Sequence, residues 1–221
     1  MVNFLPSPAW FYGIDSALEF IAVLIAFLIS FYSFHIYRFV GQKKYLYFSL
    51  SFFLMGFALC LGAVINYLLY FHWLKHSALY VLVHNYLLYY KIGFLLHFFL
   101  HLSAFMILII LCLKIEDKKV MSLLFLFVLL AVMVAEQNFI LFYLISFLLM
   151  VLYILPYFFK NCRENRTSNT KRVFLAFLAI SLSQLCFFFS LWSDKIYAVG
   201  HLLQLVGYMV LLVNFISVFR K

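Results

Sequence analysis

Seven apolar stretches, each of about 20 residues, follow one another along this chain, and about 20 is the number a helix needs to cross the hydrocarbon core of a bilayer. They fall at about 17–37, 46–71, 87–113, 120–135, 139–159, 173–192 and 197–219 on that ruler. The fourth is short, and only "EQN" at 136–138 divides it from the fifth. Residues 120–159 therefore read as a tight helical hairpin, because a single helix of that length would overshoot the membrane. Open strands are excluded, since unpaired backbone groups are not tolerated in lipid. The expected fold class is an all-α integral membrane protein, one seven-helix transmembrane domain spanning residues 1–221.

Composition supports a lipid solvent. Of the 221 residues 68% are hydrophobic and only 10% charged, and a soluble surface needs far more charge than that. The net charge of +9 invites a nucleic-acid reading, but its distribution argues otherwise. Thirteen Lys and Arg residues (38, 43, 44, 114, 118, 119, 160, 163, 166, 171, 172, 220 and 221) fall in alternate loops, against Lys75, Lys91 and Lys195 on the other side. The positive-inside rule places the thirteen in the cytoplasm, giving an N-terminus outside and a C-terminus inside a cell membrane. The basic charge is then topological, with a further attraction to anionic lipid headgroups. The longest polar loop, "KNCRENRTSNTKR", is too short to fold as a basic domain, so no nucleic-acid partner is expected. The first apolar run is too long for a signal h-region and lacks a basic lead, so it is expected to remain as the first span. Cys60, Cys112, Cys162 and Cys186 show no CxxC spacing, which argues against a disulfide or zinc framework.

The polar residues inside the spans carry the functional signal. In the first span Asp15, Glu19, Ala22, Ala26, Ser30, Ser33 and Tyr37 share a helical face opposite Phe, Leu and Ile. In the third, "YKIGFLLHFFLHLSAF" puts Tyr90, Phe94, His97, His101 and Ala104 on one face. The seventh repeats the theme with His201, Gln204 and Tyr208 beside Gly200 and Gly207. Gln184 and Ser181 come from the sixth span, Asn66 and Gly62 from the second. Of these, Asp15, Glu19, Asn66, His97, His101, Gln184, His201 and Gln204 are expected in the half of the bundle away from the basic loops, or near its midplane. Intramembrane ionisable groups are costly and usually face the interior, so a functional site is the default reading.

Two readings compete at each position. An i, i+4 pair such as His97 and His101 can chelate a metal, and haem b would take His97 or His101 with His201 from another helix. The plain alternative is interhelical hydrogen bonding to Glu19, Gln184 or Gln204, worth roughly 0.6–2 kcal/mol. Asp15 and Glu19 offer a cation or amine site, whereas capping accounts well for Asp15 and less well for Glu19. Pro156 is placed to kink the fifth span near its end. Glu136 reads as a turn residue, and His72, His76 and His84 as a loop cluster able to sense pH or bind metal. No HExxH, GxSxG, Walker or CxxCH motif occurs, and no enzyme activity is expected.

Seven spans with an external N-terminus match the rhodopsin and receptor layout, but the last span has no lysine for retinal and no NPxxY-like motif. The segments "DSALEFIAVLIAFLISFYSFHIYR", "KKYLYFSLSFFLMGFALCLGA" and "GHLLQLVGYMVLLVNF" resemble archaeal and bacterial seven-helix membrane modules that serve as input domains ahead of histidine kinases or cyclases. The resemblance implies a sensor-like module with an outward-opening cavity. The chain ends at "VFRK", directly after the seventh span, so signalling would need a separate membrane or cytoplasmic protein partner. The expected ligand site is Glu19, Asn66, His97, His101, Gln184, His201, Gln204 and Tyr208, with the histidines as speculative metal or haem ligands. A structural or assembly subunit, in which these residues only join helices, and a small transporter are the competing readings.

Overall fold

The computed structural model describes residues 8–11, 13–74, 86–135, 139–190 and 192–219. Glu136, His76 and His84, and the side chains of His72 and Tyr90, lie outside the described residues. A 3-10 turn at Ala9–Phe11 leads into α1 (Ile14–Val40), α2 (Lys43–Leu74), α3 (Tyr86–Leu113) and α4 (Lys118–Ala135). The fifth span is α5 (Phe139–Leu149), continued through a π turn at Met150–Ile154 into α6 (Leu155–Asn165). Then come α7 (Ser168–Phe189) and α8 (Asp194–Phe219). Among the described residues no strand occurs, and seven helices are long and apolar enough to cross a membrane. Length and composition thus fit a multi-pass membrane protein.

The connections at the basic end are short because their chemistry stops one helix and starts the next. Gly41 closes α1 in the left-handed region at φ 69, and its N–H donates to the Tyr37 carbonyl at 2.8 Å. Arg166 does the same for α6 at φ 47, and the Thr167 hydroxyl then accepts the Thr170 N–H to cap α7. At the other end of α1, Asp15 works from inside the first turn. Its Oδ1 accepts from the Gly13 N–H at 3.0 Å and the Ser16 N–H at 2.7 Å. The cap position itself is Gly13, two residues earlier than the carboxylate suggests. The π turn has a clear cause. Pro156 has no N–H to give and its ring crowds the preceding turn, and one wide turn just before it absorbs that conflict.

The helices pack as a ring in which α1 meets α2 and α8, α2 meets α3, the fifth span meets α3 and α7, and α7 meets α8. The fourth helix leans on α3 and α5 from outside, and its buried residues are Val128, Val132 and Ala135. The predicted small-and-polar face of α1 is the buried one, with Ala22, Ala26, Ser30 and Ser33 all enclosed. Hydrogen bonds then tie α2 to both neighbours. The Ser30 hydroxyl donates to the Ser49 carbonyl and the Ser49 hydroxyl to the Ser30 carbonyl, each at 2.9 Å. Ser33 donates to the Tyr45 carbonyl, and Ser51 donates to the Ala104 carbonyl of α3 at 2.8 Å. Aromatics fill the half of the core nearest the basic end. Phe158 stacks on Phe177 at 4.4 Å, and Phe48 lies against Phe52 and Phe215.

The α7–α8 seam depends on Gly207. A Cβ there would stand 2.9 Å from the Ala176 carbonyl oxygen and 2.6 Å from Ile180 Cγ1. At Gly56 a Cβ would meet only the Phe27 ring, at 2.9 Å, and that half-buried ring can swing. Gly207→Ala should therefore cost about 1–3 kcal/mol, and Gly56→Ala less than about 1 kcal/mol. Thermal unfolding of the two variants in one bilayer mimetic checks the order; equal losses would contradict this account of the seam.

Candidate functional site

Glu19, Asn66 and His97 meet where α1, α2 and α3 come together. The Asn66 amide lies across the Glu19 carboxylate, its Nδ2 at 3.2 Å from Oε1 and 3.1 Å from Oε2. One turn along α2 from Asn66, Gly62 opens the space the cluster needs. A Cβ at Gly62 would sit 3.2 Å from His97 Cε1, 3.3 Å from His97 Nδ1 and 3.6 Å from Glu19 Oε2. A Cβ there would crowd the imidazole, while its contact with the carboxylate would be an ordinary one. Glu19, Asn66 and His97 are each half-buried.

The tautomer of His97 follows from its partner. Nδ1 lies 2.6 Å from the Ala58 carbonyl oxygen, which can only accept, so Nδ1 carries the proton. The Nε2 lone pair is left as an acceptor. His101 lies one turn further along α3, its ring 5.6 Å from that of His97. It is only 3% exposed, and neither ring nitrogen has a hydrogen-bond partner among the described residues. Phe142 of α5 backs both rings, at 5.8 Å from His97 and 5.2 Å, edge-on, from His101. The next residue, Tyr143, packs on Phe142 and Phe187.

His201 belongs elsewhere. Its ring is boxed by Phe187 at 4.9 Å, Tyr197 at 4.6 Å and Phe11 at 5.8 Å. The contacts that reach from there to the His97–His101 pair run through Phe187, Tyr143 and Phe142, ring against ring. The physical reason is the ring order: α3 and α8 are separated by α2 and α1 on one side and by α5 and α7 on the other. Among the described residues no three His, Cys, Asp or Glu side chains stand close enough to share a metal ion. The rings of Phe187, Tyr143 and Phe142 connect His201 to the His97–His101 pair, where a shared metal or haem would need His201 beside His97 or His101.

Gln184, Gln204 and Tyr208 are buried along the α7–α8 seam. Gln184 Oε1 and the Tyr208 hydroxyl have no hydrogen-bond partner among the described residues. Phe11, in the 3-10 turn ahead of α1, touches His201 of α8, and Tyr32 of α1 touches Phe219 near the other end, so α1 and α8 run parallel. The structure thus joins Glu19, Asn66, His97 and His101 and leaves His201, Gln184, Gln204 and Tyr208 in the adjoining half. Sequence reasoning missed Phe142, Tyr143 and the Ala58 carbonyl. Tyr143 carried a signal, a hydroxyl within "FILFYLISFLL"; the carbonyl of an alanine carries none.

Fold and site together define the class: a seven-span helical bundle of membrane composition with a carboxylate, an amide and two imidazoles gathered at one helix junction. No protein-family model, curated protein or solved structure matches this chain.

If the amide mainly serves the carboxylate, Asn66→Leu alone should destabilise by about 1–3 kcal/mol, because it strands Glu19. Adding Glu19→Leu should recover most of that loss. A double-mutant cycle on unfolding free energy reads the coupling, and additive losses would show that the pair does not interact.

Proposed function

We propose that this protein is a non-enzymatic, receptor-like membrane module that binds a small cationic ligand, a protonated amine, between Glu19 and the His97–His101 pair. The observation that carries this reading is the approach of a carboxylate and a neutral imidazole over Gly62, with no cation of the protein in an ion pair with Glu19 among the described residues. Glu19 supplies charge, and Asn66 holds both carboxylate oxygens in place. An ammonium group donates several hydrogen bonds and accepts none, and the site offers it the Glu19 carboxylate with the neutral His97 imidazole alongside.

The same features argue against the competitors. Histidines that only joined helices would have their nitrogens paired, and those of His101 are not. Haem b or a transition metal would want His201 beside the α3 pair, and His201 sits in its own aromatic box. In the proposed topology the site lies in the outer half of a cell membrane and opens outward. Occupancy is passed to a separate membrane or cytoplasmic protein.

The test is thermal unfolding in lipid nanodiscs against a panel of primary amines and, in parallel, divalent metal ions. At about 100 times its Kd a bound amine should add about 2.7 kcal/mol of stability. Glu19→Gln should abolish that gain while His201→Phe leaves it intact. A gain that survives Glu19→Gln, or the absence of any gain across the panel, would overturn the reading. A gain from divalent ions alone would move the site to metal chemistry.

A further inference from the structure

At the basic end, far from the Glu19 site, α2 begins, α3 ends and α4 begins around a recess of about 460 Å³. Lys43, Lys44, Lys114 and Lys118 line it, together with Tyr47 and a single acidic residue, Glu116. None of the four lysines is in an ion pair among the described residues, where the one such pair is Lys160 with Glu164. Four like charges around one recess repel each other, modestly because all four are exposed, and an anion among them would relieve that repulsion. The positive ends of two helices add to the field, since α2 starts at Lys43 and α4 at Lys118.

The corner between α3 and α4 presents these groups by design of its backbone. Lys114 takes the left-handed conformation at φ 53, and the Ile115 N–H turns back to the Ile110 carbonyl at 3.0 Å. Asp117 is occupied in starting α4, its Oδ1 accepting the Lys119 N–H at 2.8 Å. The floor is apolar, built from Leu111, Ile115 and Met121. Next to the recess, Leu113, Val120 and Leu123 are exposed, and the exposed apolar face of α4 runs on from there.

We infer that this recess holds the headgroup of an anionic phospholipid, its phosphate among the four lysines and its acyl chains along the exposed face of α4. The apolar floor and the adjoining face select a lipid-borne phosphate over a free one. Neither the ligand of the Glu19 site nor its existence bears on this assignment.

The experiment is native mass spectrometry of the purified full chain, delipidated and titrated with phosphatidylglycerol, with phosphatidylcholine and with inorganic phosphate. Phosphatidylglycerol should bind tighter than phosphatidylcholine, and each lysine removed should weaken it about fivefold. Lys114→Gly is the most informative variant, because glycine suits φ 53 better than lysine and removes the charge without disturbing the corner. A control that neutralises Lys160, Arg163, Lys171 and Arg172 together should leave the preference unchanged. Equal retention of the two lipids overturns the assignment. So does a control that weakens binding as much as the recess variants do, which would mean a diffuse basic surface. Displacement of phosphatidylglycerol by inorganic phosphate at equal concentration would overturn the choice of a lipid.

Discussion

In an apolar solvent every interior polar group has to find its partner within the protein, and in this bundle α2 is where α1 and α3 find theirs. The paired serines 30 and 49 exchange hydrogen bonds with each other's carbonyls. Ser33 reaches the Tyr45 carbonyl, Ser51 reaches Ala104, His97 reaches Ala58, and Asn66 reaches Glu19. Each such bond contributes modestly, about 0.6 kcal/mol on average. Their value lies in register: a slide of one residue along any of these helices would break them together. The Glu19–His97 junction inherits its geometry from that register, because Gly62 lies on the same helix as Ser49, Ser51 and Ala58.

This explains how a buried carboxylate can stand beside an imidazole without a direct bond between them. The backbone carbonyl of Ala58 fixes the imidazole, and the Asn66 amide fixes the carboxylate. Each group is thereby held by α2 and not by the other. A direct Glu–His pair would have satisfied itself; here the two groups are held separately. The preorganised acceptor pair is what the amine reading uses.

Much of this was legible in the sequence, and the limits are physical. Length and hydropathy marked all seven helices long and apolar enough to cross a membrane, and their ends moved by only a few residues except at the fifth, which continues to Asn165, and the sixth, which begins at Ser168. The spacing of Ala22, Ala26, Ser30 and Ser33 named the buried face of α1, since small residues at helical spacing allow close approach. Glu19, Asn66, His97 and His101 were singled out individually, because polar residues at one depth on three helices are conspicuous against apolar surroundings. Their separation from His201 could not be read, because facing residues reveal which side of a helix is interior and not which helices are neighbours. The π turn was legible only as a conflict at Pro156. Backbone acceptors such as Ala58 O leave no trace in residue identity at all.

The interior also divides into two halves of different character. Between α1 and α2 the inward serines are paired, while the buried polar atoms without a partner among the described residues lie on α3, α5, α7 and α8, on His101, Ser103, Ser146, Gln184, His201, Tyr208 and Asn214. A saturated interface resists rearrangement, because any shift breaks bonds that cannot be remade in lipid. An under-satisfied one has little to lose and gains from any new partner. The boundary between the two halves falls within one turn of α3. His97 is anchored to the saturated side through Ala58, and His101 belongs to the other. A ligand that bridges Glu19 and these imidazoles therefore grips the rigid half with one hand and acts on the deformable half with the other. On the proposed reading, a ligand at this junction would act on α5, α7 and α8 against the α1–α2 pair.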